Sequence, residues 1–191
     1  MSKRPETAAP WDAIVLAGGR GARLGGADKA GVVVEGRTLL DRALDAVSGA
    51  VHVVVVGDVD APGAVVVQES PRFAGPAAAI GAGLDEVTAP WVLLAACDQP
   101  FLGEALAPLL AARDGDGVVA VDASGRRQHL LCVVSTAALR DAVAAQETLT
   151  DLAVHLVLAP LDLVEVALPD RATRDVDTWH DREVAEDRAD G

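Results

Sequence analysis

Aromatic side chains are scarce, with three Trp, two Phe and no Tyr among 191 residues. Val, Leu and Ala must therefore fill the core, and such small apolar groups suit a sheet covered by helices on both faces. Cysteine is scarce too. Cys97 and Cys132 lie far apart and form no C-x-x-C pattern, which leaves a zinc site unsupported and a disulfide framework unexpected. Positive charge is in deficit: 16 Lys and Arg against 29 Asp and Glu give a formal charge of −13. Nucleic-acid backbones and anionic membrane surfaces would repel such a chain. No apolar run approaches the roughly 20 residues of a membrane span. The start, "MSKRPETAAPW", has basic residues but lacks the apolar stretch of a secretory signal. The expectation is a cytoplasmic protein that binds neither nucleic acid nor membrane.

What is present fits one globular domain: 51% of residues are hydrophobic and 24% charged, and the length suffices for a single well-buried core. Short Val-rich runs recur at 13–17, 51–56, 64–68, 91–96, 117–121, 130–134 and 163–168. Their length and β-branching favour strands, most of them buried on both faces. Stretches with helical spacing lie between them. Leu40, Leu44 and Val47 share a face behind a Thr38 cap, Pro76 opens a stripe of Ile80, Leu84 and Val87, and "GEALAPLLAAR" and "STAALRDAVAAQ" read similarly, the latter capped by Ser135. The alternation indicates an α/β layered domain with a mostly parallel sheet. Residues 1–10 are expected to be a flexible start and 181–191 a solvated acidic tail. In such sheets ligands bind at the carboxyl ends of the strands, where strand order reverses.

The first strand ends in "LAGGRGARLGGADKA" (16–30), which matches neither a dinucleotide fingerprint, since position 24 is Leu, nor a P-loop, since Gly26 is followed by Ala27. Its chemistry still points to an anion. Gly18, Gly19 and Gly21 let backbone N–H groups approach phosphate oxygens. Between 18 and 37, Arg20, Arg23, Lys29 and Arg37 outnumber Asp28 and Glu35, against the trend of the whole chain. A second candidate is Asp98, which follows the apolar run "WVLLAAC" and precedes Pro100. A carboxylate just beyond a buried strand can hold Mg²⁺ against phosphate oxygens or serve as a turn residue.

The first motif resembles the L-A-G-G-x-x-x-R-x-G-x-x-K signature of nucleotidyltransferases of the sugar-nucleotide pyrophosphorylase superfamily, and within it the molybdenum cofactor guanylyltransferase (MobA-like) group. Leu16, Ala17, Gly18, Gly19, Arg23, Gly25 and Lys29 fall on the pattern, with one extra residue before Lys29. "CDQPFL" is similar to that group's C-D-x-P motif. The resemblance implies a three-layer α/β/α Rossmann-like nucleotidyltransferase fold with a mostly parallel, about seven-stranded mixed sheet, one domain spanning 11–180. It implies transfer of GMP from GTP to molybdopterin with release of pyrophosphate, a Mg²⁺ cofactor, and a monomer or weak homo-oligomer in transient contact with molybdoenzymes or other cofactor-biosynthesis proteins. Arg23, Lys29 and Asp98 would be catalytic. Leu16, Ala17, Gly18, Gly19, Arg20, Gly21, Asp58 and Glu69 would join them in binding nucleotide, Glu69 at the place of an acid that meets the guanine edge. Gln128 and His129 would face the acceptor. Asp98 and Asp177 would hold the metal, although Asp177 also suits a helix N-cap.

Three alternatives stay open. "DQP" is more like the cytidylyl-transferring relatives, whose loop usually reads LAAG, so CTP competes with GTP. The stretch "AAQETLTDL" lacks the arginines of the group's G-E-R-[RK] cluster, which leaves room for a sugar phosphate or phospholactate as acceptor. A non-catalytic nucleotide-binding relative would retain the same fold.

Overall fold

The computed structural model describes residues 9–18, 29–176, 178, 181–183 and 185. Seven strands form the main sheet: β1 (Trp11–Leu16), β4 (Val53–Val56), β5 (Val65–Val67), β6 (Trp91–Ala96), β7 (Gly117–Val121), β8 (Arg127–Ser135) and β9 (Leu163–Ala167). A two-stranded hairpin, β2 (Val33–Val34) with β3 (Arg37–Thr38), stands apart. The main order is β5-β4-β1-β6-β8-β7-β9. Only β8 runs against its neighbours, pairing antiparallel with β6 and β7, so the sheet is the mostly parallel mixed sheet that the sequence implied.

Helices α1 (Leu39–Ala46) and α3 (Leu102–Ala112) cover one face, and α2 (Pro76–Leu84), α4 (Thr136–Ala144) and α5 (Val154–Leu158) the other. Each face has its own core. Alternate residues of β1 divide between them: Ala13 and Val15 pack under α1 and α3, Ile14 and Leu16 under α2. The local signals hold. The Thr38 hydroxyl accepts the Asp41 N–H at 3.0 Å, the Ser135 hydroxyl accepts that of Ala138 at 3.5 Å, and Pro76 occupies the first turn of α2.

The outer strands depart from the expectation of two buried faces. Val65 and Val66 on β5 are each 42% exposed and Val164 on β9 is 49% exposed. Each of these strands pairs on one side only, which leaves it on the rim of the helical layers. The acidic stretch from 181 also differs from a wholly solvated tail. Residues 181–183 and 185 are helical, Ala185 is buried with Val32, Val34, Leu39, Phe101 and Val176, and Arg182 donates to the Val33 carbonyl at 2.8 Å. Among the described residues, no helix is long and apolar enough to cross a membrane.

Candidate nucleotide site

Chain order reverses at β1: β4 and β5 follow on one side, and β6 then returns on the other. The crevice beyond the carboxyl ends of β1, β4 and β6 is where ligands bind in open sheets of this kind. The ladder continues into the loops there. Ala17 N–H donates to Val56 O at 2.9 Å, and Cys97 N–H to Leu16 O at 3.0 Å. Leu16, Ala17 and Gly18 are thereby clamped between the ends of β4 and β6. Gly57, at φ +156°, makes this approach possible. A Cβ there would lie 2.9 Å from the Ala17 carbonyl carbon and 3.0 Å from the Gly18 nitrogen.

Gly19, Arg20, Gly21, Arg23 and Asp177 lie outside the described residues. The backbone of Lys29 opens a short 3-10 turn over Lys29–Gly31 that leads into the β2–β3 hairpin.

Asp98 stands two residues beyond β6, half-buried. Its carbonyl accepts the Val176 N–H at 2.9 Å, which brings the Asp175–Val176 stretch against it. The "DQPF" segment is held from below. Arg42 on α1 donates to the Pro100 carbonyl at 3.0 Å and pairs with Glu35 at 2.8 Å. The guanidinium groups of Arg42 and Arg171 lie 5.5 Å and 4.0 Å from the Phe101 ring centroid. Sequence reasoning missed Gln99. It is 5% exposed, yet its Oε1 finds no hydrogen-bond partner among the described residues, an arrangement that native structures rarely leave without a reason. Among the described residues, no three His, Cys, Asp or Glu groups converge as a metal cluster.

Glu69 follows β5 and is 8% exposed. Its Oε1 accepts the Phe73 N–H at 2.8 Å, which fixes the loop that enters α2 through Gly75 at φ +92°. Asp58 is exposed at the end of β4 and pairs with Arg72 at 2.7 Å. Gln128 donates through Nε2 to Asp122 at 2.7 Å, so its amide nitrogen serves the β7–β8 turn. The Ser124 hydroxyl, followed by the Arg126 N–H, holds the Asp122 carboxyl below its ordinary pKa. His129 packs against His155, with ring centroids 5.9 Å apart. That neighbour has no signature in the sequence, because the contact is purely tertiary. Both cysteines are buried thiols, and burial pushes the Cys132 thiol up to about 12, so it stays protonated and is no nucleophile.

The fold agrees with a nucleotidyl transferase from Methanothermobacter thermautotroptrophicus at a TM-score of 0.74, with 20% identity over 93% of this chain and 96% of that one. It also agrees with a molybdopterin-guanine dinucleotide biosynthesis protein A from Archaeoglobus fulgidus at a TM-score of 0.68, with 22% identity over 94% of this chain and 98% of that one. Residues 13–161 match the MobA-like NTP transferase domain. A molybdenum cofactor guanylyltransferase from Cupriavidus metallidurans is 36% identical over 148 residues, covering 69% of this chain and 72% of that protein. The chain belongs to the MobA-like NTP transferase family, and it is a nucleotidyltransferase.

Proposed function

We propose that this chain transfers GMP from GTP to the terminal phosphate of molybdopterin and releases pyrophosphate. The observation that carries this reading is the junction of the first loop with Asp98. The Cys97–Leu16 and Ala17–Val56 hydrogen bonds hold Leu16–Gly18, where the glycine-rich motif begins, beside the end of β6 that leads to the acid. In the reaction an acceptor phosphate oxygen bonds to the α-phosphorus, the bond to the β-phosphate oxygen breaks, and pyrophosphate departs. Such chemistry asks for positioning and charge neutralisation rather than a protein nucleophile.

The chain's residues supply both. Backbone N–H groups of Gly18, Gly19 and Gly21 would cradle phosphates, with Arg20, Arg23 and Lys29 countering their charge. Glu69, whose Oε1 accepts the Phe73 N–H, would meet the base from the far side. Asp58 would lie beside it, and Gln128 and His129 would face the acceptor. Members of this family generally use a divalent metal. Carboxylates suit a hard cation, and Asp98, with the acid-bearing stretch hydrogen-bonded to its own carbonyl, fits Mg²⁺ with Asp177 as the second ligand. The metal would neutralise phosphate charge as it develops.

Pyrophosphate release from GTP supplied with molybdopterin and Mg²⁺ tests the reading, with Asp98→Ala as comparison. If both proteins are equally inert, the enzyme reading fails. The "DQP" segment favours a second base, CTP. Thermal shifts with GTP, CTP, ATP and UTP separate the two, because a ligand at 100-fold its Kd stabilises by about 2.7 kcal/mol. A shift with CTP alone would move the assignment to cytidylyl transfer. Sugar phosphates and phospholactate, offered in place of molybdopterin, test the acceptor.

A further inference from the structure

We propose that His129 and His155, backed by Arg126 and Arg127, form a phosphate subsite that receives the acceptor's terminal phosphate; the acceptor's part rests on the function proposed above.

Position comes first. Ala95 on β6 pairs with Leu131 on antiparallel β8. His129 lies two residues back along β8, towards the carboxyl edge at which β6 ends and Asp98 follows. The β7–β8 register jumps there: Val119 opposes Cys132, but Ala120 opposes Gln128. Residues 129–131 therefore leave the regular β7 ladder, as a bulge that re-aims side chains does. His129 meets His155 of α5 at a ring separation of 5.9 Å and a tilt of 51°. The segment before α5 is tied to the loop before α2 by the Asp151 N–H on Ala74 O at 2.7 Å. The pair thus lies on the side of the crevice that also carries Glu69 and Phe73.

Charge comes second. Burial, then His155, Arg127 and Arg126, push the His129 pKa down, and no carboxylate acts on it in the opposite sense. The acids nearby are engaged elsewhere. Glu165 on β9 takes Arg127 at 2.7 Å, and Asp122 takes Gln128, Ser124 and the Arg126 N–H. Two imidazoles and the Arg126 guanidinium gather here, beside an Arg127 that Glu165 already pairs, in a chain of net charge −13. A phosphate dianion would meet this positive charge, and the His129 imidazole would gain as a donor when protonated. Binding should therefore tighten as pH falls through the histidine range.

The test uses the full chain and methyl phosphate, read by the imidazole NMR signals of its four histidines. His52→Gln, His129→Gln, His155→Gln and His180→Gln assign the signals. With methyl phosphate, the His129 and His155 signals should both shift, and the His129 pKa should rise by about one unit, equivalent to tenfold tighter binding to the protonated site. Signals of His52 and His180 should stay still. Saturating GTP should leave the response intact. If neither ring responds, or if GTP displaces methyl phosphate from both, the subsite is overturned. In the transfer reaction His155→Gln should raise the acceptor KM about tenfold and leave kcat and the GTP KM unchanged. GMP transfer by a chain whose histidines ignore methyl phosphate would sink the subsite and spare the function. Responsive histidines in a chain that transfers nothing would do the reverse.

Discussion

At the amino edge of the sheet Asp12 is 0% exposed and saturated with donors. The backbone N–H groups of His52, Thr88 and Ala89 reach its two oxygens at 2.9, 2.7 and 2.8 Å, and the His52 ring lies 3.3 Å away. At the carboxyl edge Asp98 is only half-buried, and the hydrogen bond that ties down its residue from the 174–176 stretch is made by its carbonyl, to Val176. Asp12 lies on β1 and Asp98 follows β6, and these two central strands pair directly. One carboxylate staples the β1 start to the segments before β4 and β6. The other stands at the crevice where phosphate charge would have to be met. A buried acid with every oxygen engaged by backbone serves the fold, whereas the acid at the ligand edge is the one placed for the chemistry proposed above.

Substitutions at the two edges should dissociate stability from activity. Asp98→Asn should reduce the transfer rate on the order of 10³-fold, because charge neutralisation at a transferring phosphoryl group is lost. Its thermal midpoint should stay near that of the parent. A large loss of stability in this variant would break the comparison.

Asp12→Asn should do the opposite, costing about 1–3 kcal/mol of stability by setting an amide nitrogen against backbone donors. Its kcat/KM should remain unchanged wherever the protein is folded. The pH dependence has a definite sign. Burial pushes the Asp12 pKa up, but the N–H groups of Ala89, Thr88 and His52, with the His52 charge, outweigh it and hold the carboxyl below its usual 3.8. The stabilisation is therefore fully present above that usual value and is lost as pH falls through the lower folded pKa. Urea unfolding of parent and variant should show a constant gap from pH 7 to 5 that narrows only below about pH 4.

Gly57→Ala couples the two behaviours. The added methyl carbon would stand 2.9 Å from the Ala17 carbonyl carbon, at a φ of +156° that side chains avoid. We expect a cost of about 1–3 kcal/mol from backbone strain, together with weaker GTP binding, since the strain falls on Ala17 and Gly18. Unfolding midpoints and nucleotide titrations would separate the effects. A loss of stability with unaltered GTP affinity would show that the clamp does not shape the loop.

Much of this architecture is legible in the sequence because local signals and global fold agree. Val-rich runs with little aromatic content give buried strands, Thr38, Ser135 and Pro76 open helices, and Asp98 is recognisable by the apolar run before it. What escapes is short or tertiary. Helix α5 and the two-residue strands β2 and β3 have too few residues to show a period. Asp12 hides inside "WDAIV" because its partners are backbone groups, which carry no residue signature. His155 becomes a neighbour of His129 only when α5 packs beside β8. The Asp58 and Gln128 side chains illustrate the converse: position brings them to the correct edge, but their observed partners are Arg72 and Asp122.

Gln99 tests the contrast between edges at its finest. A buried carbonyl oxygen without a partner among the described residues costs the fold, and at the amino edge nothing comparable is tolerated around Asp12. Replacing it by the similar-sized, apolar Met removes an unsatisfied acceptor, so Gln99→Met should gain up to about 1 kcal/mol of stability. If the amide is held in reserve for a substrate donor, the same variant should lose turnover, the trade expected where a site stores strain for function. Calorimetry and steady-state kinetics on one preparation decide. A more stable and equally active variant would mark Gln99 as a packing defect. A less stable one would show that the oxygen does have a partner in solution, and the edge would then be as fully satisfied as the one around Asp12.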